Sequence, residues 1–228
     1  MSQIKPINHP DYLALVSSAP LRILSSAVLG GGLGYCHSLL NLRVDKDAPP
    51  PWPPAEETLS QRALQLNLPD PVAGMMTAAS MQSLSDAHAR IPTDSGDLSV
   101  SCWVTCGLSN LLRAGDPVVV APRAGTINIV LFISQPLTDT ALTEALIMLT
   151  EAKVTAIRDA GLVSPVSGLP ASGTGTDSHA VLCADNHKGG EAFCGKHTEL
   201  GQLIGQTVLQ ACTNSINKCI RASLTATD

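Results

Sequence analysis

Two stretches of this chain carry the residue types that chemistry needs. Gly173-Thr174-Gly175-Thr176-Asp177 sets a carboxylate and two hydroxyls on a glycine-rich turn, and further along Gly195-Lys196-His197 adds an ammonium and an imidazole at the head of an expected helix. Glycine lets backbone N–H groups turn toward a ligand, and binding groups concentrate on loops held by a rigid scaffold. Cleaving an amide needs an activated nucleophile, a proton for the departing amine and donors for the tetrahedral oxyanion. On that reading Asp177, His197 and a threonine hydroxyl do the chemistry, while Asn110, Asn128 or loop N–H groups hold the oxygen. The competing reading is local: Asp177 caps its turn, and Thr174 and Thr176 hydrogen-bond their own loop.

Other patterns run through the same segments. Residues 190–196 have the G-x-x-x-x-G-K spacing of a phosphate loop, but His197 displaces the hydroxyl that should follow the lysine, and the preceding strand ends too early. Cys183, His187, Cys194 and His197 can be written as a zinc pattern. Cys183 falls in an apolar strand-like run, so packing is the expected role and no metal is expected. Asp177-Ser178-His179 matches the start of a D-x-H-x-x-G signature for cobalt on a histidine, with Leu182 in the glycine position.

Elements must bring these groups together. A helix is expected from an N-cap at Asp139 to a left-handed stop at Gly161, with Leu142, Leu146, Leu149, Ile157 and Lys153 on one stripe. Lys153 therefore either finds a buried partner or lays its stem on apolar surface and sends its head to water. Glu151 lies nearly opposite it on the wheel. A second helix is expected from Thr198 to about Ile220, with Gly201 and Gly205 on one face where another backbone or a ligand approaches. It places Lys196 and His197 at a helix N-terminus, which favours anions.

Upstream, residues 21–29 read as a strand running into glycines, and the prolines around Trp52 read as a surface connection into a polar helix over 56–67. Residues 98–106 alternate as a half-buried strand, residues 118–121 read as another, and 126–133 is continuously apolar, hence central. Early strands followed by long helices predict an α+β fold, a mixed or antiparallel sheet covered by helices, in a single domain over 1–228.

Composition narrows the partners. With 228 residues and 44% hydrophobic content the chain can bury a large core. A net charge of −5 without a basic run argues against a nucleic-acid partner. The apolar stretch over 13–42 is broken by Arg22 and glycines, so neither a signal peptide nor a membrane span is expected. Seven cysteines scattered through strands and helices read as reduced core thiols of a cytoplasmic protein.

The motifs taken in order carry a resemblance. Leu24-Ser25-Ser26, Gly30-Gly31-Gly32, Gly74-Met75-Met76-Thr77-Ala78-Ala79, residues 104–110, Arg113-Ala114-Gly115-Asp116, Gly125-Thr126-Ile127-Asn128, Thr150-Glu151-Ala152-Lys153, the Gly173–Asp177 loop and Gly195-Lys196-His197 resemble the adenosylcobinamide amidohydrolase family. The resemblance implies hydrolysis of the aminopropanol amide of adenosylcobinamide, giving adenosylcobyric acid for cobamide salvage. The corrinoid is then the substrate, and no cofactor is expected. A bulky, amide-fringed ring suits a broad cleft walled by backbone. Within this frame His197 or Asp177 is the expected base, with Glu151 as an alternative acid, and Lys153 or Lys196 polarises the carbonyl oxygen. Asn110, Asn128, Gly173, Thr174 and Gly175 position the amide. Thr176 or Thr126 is the nucleophile unless water attacks directly. A corrinoid-binding protein without turnover and a nucleotide-binding enzyme are the alternatives; a homo-oligomer is compatible with all three.

Overall fold

Alternation and glycine placement set up the strands, and their pairing makes one mixed sheet. The computed structural model describes residues 4–92, 97–118, 124–185 and 189–225. The sheet is built from β1 (Ile4–His9), β2 (Tyr12–Ser25), β3 (Gly32–Arg43), β4 (Val72–Thr77), β5 (Ser85–Ile91), β6 (Leu98–Cys106), β8 (Ile127–Ile133) and β10 (Ser178–Ala184). Its order is β4-β3-β2-β10-β8-β6-β5, with β1 also on β2. A two-residue pair, β7 (Leu111–Leu112) with β9 (Gly173–Thr174), stands apart from it. Three α-helices complete the described fold: α1 (Ala55–Gln65), α2 (Asp139–Asp159) and α3 (Glu199–Thr225). This is the expected α+β class, and the sheet is mixed because β8 and β10, and also β3 and β4, run parallel. No helix among the described residues is long and apolar enough to cross a membrane.

Period-two alternation gives each central strand two buried faces. Val104, Ile129, Leu131 and Val181 meet α2 and α3. Trp103, Val130, Phe132 and Leu182 instead meet Leu39 and Met75 from β3 and β4. The sheet therefore doubles back, so that its β3–β4 side covers the reverse of its β6–β8 side. α1 lies outside β3, with Leu59 and Ala63 on Leu40 and Leu42. The two sheet halves are joined by a buried polar seam. Asn128 Nδ2 donates to Asn41 Oδ1 at 2.8 Å and to the Met76 carbonyl at 2.9 Å, and Asn41 Nδ2 donates to Thr105 Oγ1 at 3.0 Å.

The helices follow their sequence signals with small shifts. α2 stops before Gly161, whose φ is +67°, as expected for a left-handed terminator. Its N-cap is Thr138 and not Asp139: the Thr138 hydroxyl accepts the Ala141 N–H at 3.2 Å, which frees Asp139 to pair with Arg22. Thr198 caps α3 as expected by accepting the Gly201 N–H at 2.9 Å. α3 then runs beyond Ile220 to Thr225. Gly201 permits a close backbone approach, since a Cβ there would stand 2.0 Å from the Gly195 carbonyl oxygen. Two expectations change. The strand expected over 21–29 is the second, β2, and runs Tyr12–Ser25, since it pairs with β1 over 12–17 and with β10 over 21–25. Of the strand expected over 118–121, Val118 lies exposed outside any strand and 119–121 fall outside the described residues.

Candidate active site

Connectivity decides where the loops meet. β8, α2 and β10 form a parallel crossover, so α2 runs back over the strands and its C-terminal half lies near their N-terminal ends. Thr126 directly precedes β8, Asp177 directly precedes β10, and Lys153 lies in the C-terminal half of α2. The result is a buried ion pair. Lys153 Nζ donates to Asp177 Oδ2 at 2.5 Å, with only 7% and 9% of the two side chains exposed. Of the two readings left open for Lys153, the structure therefore has the buried partner.

Asp177 is held on every side. Its Oδ1 accepts the backbone N–H of Ile127 and of Thr174, both at 3.1 Å, and the Thr174 hydroxyl at 2.5 Å. The hydroxyl, the carboxylate and the ammonium thus form a continuous chain. Gly173 is the lid on that chain: a Cβ there would stand 2.2 Å from Asp177 Oδ2 and 2.9 Å from Lys153 Nζ. Nothing larger than hydrogen fits.

A second hydroxyl cluster lies beside it. Thr126 donates to the Thr176 carbonyl at 2.7 Å, the two hydroxyl oxygens are 2.8 Å apart, and Thr176 donates to the Gly125 carbonyl at 3.1 Å. Thr126 is buried and Thr176 exposed. Asn110 ties the turn down, accepting the Gly175 N–H on its backbone carbonyl at 3.2 Å and donating from Nδ2 to the Gly125 carbonyl at 3.5 Å. Gly175 is required here too, because a Cβ would stand 2.8 Å from Asn110 Nδ2. A hollow of about 380 Å³ opens next to this cluster, bounded by Ala79, Gly107, Ser109 and Gly125.

Two further groups neighbour the pair: His179, which the sequence marked only through the partial cobalt pattern, and Cys212, which it did not mark. The His179 ring sits beside the ion pair with its Nε2 buried and without a hydrogen-bond partner. Burial, aided by the Lys153 charge and opposed by Asp177, pushes its pKa down to about 4, so the ring is neutral near pH 7. The available signal was period two, which puts residues 177 and 179 on one side of a strand. Cys212 of α3 also feels the pair, but burial raises its thiol to about 12, so it supplies no thiolate.

Other expected groups lie elsewhere. Lys196 and Glu151 are ion-paired with each other, both largely exposed, on the rim of a larger hollow of about 580 Å³ between α2 and α3. His197 is exposed at the head of α3, and no hydrogen bond joins it to Asp177. The expected Asp177–His197 convergence is therefore corrected. The reason is the anchor before α3: the Cys194 N–H donates to Glu144 at 2.7 Å and its thiol to the Ala141 carbonyl at 3.0 Å. That ties the head of α3 to the N-terminal half of α2. Asn128 is likewise corrected, because its side chain fills the seam between the sheet halves instead of reaching the loops.

The phosphate-loop and zinc patterns dissolve in the same geometry. Glu191 exchanges backbone hydrogen bonds with the residues before α2, and Gly190 packs against the Pro136 carbonyl, so the segment is a backbone clasp. Cys183 is in the core, and His187 lies outside the described residues.

A family model described as adenosylcobinamide amidohydrolase matches residues 2–223. The chain belongs to the adenosylcobinamide amidohydrolase family. The family is by name one of amidohydrolases, the enzyme class expected from the sequence. An adenosylcobinamide amidohydrolase of Methanosarcina mazei is 28% identical over 81% of this chain and 85% of its own length. An uncharacterized protein of Methanocaldococcus jannaschii is 28% identical over 64% of this chain, and the match spans 63% of that relative, less than two thirds. Among solved structures, a protein of Pyrococcus horikoshii aligns with a TM-score of 0.48 at 13% identity, over 94% of this chain and 79% of its own. An L-aminopeptidase D-Ala-esterase/amidase of Ochrobactrum anthropi aligns with a TM-score of 0.40 at 11% identity, over 95% and 83%.

Proposed function

We propose that this protein hydrolyses the amide that joins aminopropanol to the corrin ring of adenosylcobinamide, leaving adenosylcobyric acid for cobamide salvage. Membership of the family supports the reaction and the corrinoid substrate. The observation that carries the location is the buried chain from Thr174 through Asp177 to Lys153, capped by Gly173, with the threonine cluster beside it reaching Gly125 on the wall of a hollow.

In this reading Asp177 receives the proton of the attacking hydroxyl, from water or from a threonine of the loop, and returns it to the departing amine. Lys153 balances the carboxylate and holds it in place. Thr126 and Asn110 fix the 173–176 turn, whose Thr174 and Gly175 N–H groups already serve Asp177 and the Asn110 carbonyl. The hollow beside Gly107 and Gly125 takes one edge of the ring, whose bulk remains outside. Water adds across the C–N bond, which breaks to give a carboxylic acid and the free amine.

The test is to incubate the protein with adenosylcobinamide and follow aminopropanol by mass. Wild type is expected to release it, and Asp177→Asn to lower turnover on the order of a hundredfold or more, the usual loss for a proton-transfer group. His197→Ala, outside the cluster, is expected to retain near-normal turnover. Binding without release in wild type removes the hydrolase reading; normal turnover in Asp177→Asn moves the centre elsewhere.

A further inference from the structure

The seven cysteines are all free, and they divide unequally. Burial pushes Cys36, Cys194 and Cys212 up to about 12 and raises Cys102 and Cys183 as well, while Cys106 is raised first by its hydrogen bond to Cys219 and then by burial, so all six remain thiols. Cys219 goes the other way. Its sulfur receives hydrogen bonds from the Cys106 thiol and from the backbone N–H of Leu108, which together outweigh its burial and bring it down to about 6.

The arrangement follows from two periods. Residues 212 and 219 are seven apart on α3 and share one face, and residues 102 and 106 are four apart on β6 and share one side. Packing α3 on β6 makes two rungs, Cys212 beside Cys102 and Cys219 beside Cys106. The first rung is sealed in the core. At the second, Cys106 and the half-buried Cys219 both face the 380 Å³ hollow, which also holds Lys46, Lys218, Ser80 and Gln82. The Lys218 ammonium is engaged by the Leu84 carbonyl at 2.6 Å.

We propose that Cys219 is a site of covalent modification by soft electrophiles, hydroperoxides above all, with Cys106 as the thiol that completes the reaction. The Cys219 sulfur attacks the peroxide oxygen; an S–O bond forms, the O–O bond breaks, and the leaving oxygen takes a proton and departs as water or alcohol. The Cys106 sulfur then attacks the resulting sulfenic acid, forming an S–S bond and expelling water. The two sulfurs lose two electrons in total, and the peroxide is reduced by the same two.

Limited alkylation of the native full-length chain by iodoacetamide at pH 7, read by peptide mass, tests the first step. Cys219 is expected to label at least tenfold faster than each of the other six, with its rate falling as the pH drops through about 6. Hydrogen peroxide is then expected to remove two hydrogens from the chain and to yield a linked Cys106–Cys219 peptide. Cys106→Ser is expected to stop at a sulfenic acid that dimedone traps on Cys219. Equal labelling of all cysteines, or a cross-link between any other pair, overturns the proposal. Neither readout depends on corrinoid turnover.

Discussion

At the scale of single residues, the sequence exposed the parts of the site whose neighbours are local. The glycine-threonine turn and the inward lysine were legible, since turn chemistry and helical periodicity are properties of adjacent residues. What joined Lys153 to Asp177 was not, because nothing in a helical stripe says which loop will meet it. His197 misled for the same reason: a helix head suits a base, but its anchor to Glu144 through Cys194 is a long-range fact. His179 makes a residue-scale prediction. Its folded value of about 4 lies below the ordinary 6.5, so the unfolded chain binds the extra proton between those limits. Its contribution to stability is full above about pH 6.5 and is lost as the pH falls toward 4. Urea midpoints at pH 7 and pH 5 are expected to differ less in His179→Asn than in wild type. Equal differences in both would assign the acid sensitivity to other groups.

At the scale of elements, the strongest signals were those that packing reinforces. The run over 126–133, read as apolar and central, became β8 between β6 and β10, Ile127–Ile133, buried on both faces. The helix stop at Gly161 and the cap at Thr198 held because glycine and threonine solve local backbone problems directly. The start of α2 shifted by one residue, as both Thr138 and Asp139 could cap and only the tertiary pairing of Asp139 with Arg22 decides between them. The head of α3 offers a graded comparison. Thr198→Ala removes one capping bond and is expected to cost about 1 kcal/mol. Gly201→Ala drives a Cβ to 2.0 Å and 2.4 Å from the Gly195 and Cys194 carbonyl oxygens, so it should cost more, roughly 1–3 kcal/mol beyond the cap loss. Chemical denaturation ranks the two, and the reverse order would mean that the clasp before α3 yields easily.

At the scale of the whole molecule, the class of fold was legible and its closure was not. Alternation predicts that a strand has two faces, but the folding back of the sheet depends on which strands pair, and Asn41 and Asn128 meet across 87 residues. That seam carries its own prediction. Asn41→Ala leaves Thr105 and Asn128 short of partners in a dry interface and is expected to cost about 1–3 kcal/mol. A midpoint shift in urea measures it, and an unchanged midpoint would mean that water replaces the amide.

The glycine over the ion pair has a meaning for the lineage as well as for the site. A side chain at position 173 would start on top of the carboxylate and the ammonium, so any substitution there must displace the charges beneath it. A variant that abandons it must first rebuild the floor, altering residues 153 and 177 together.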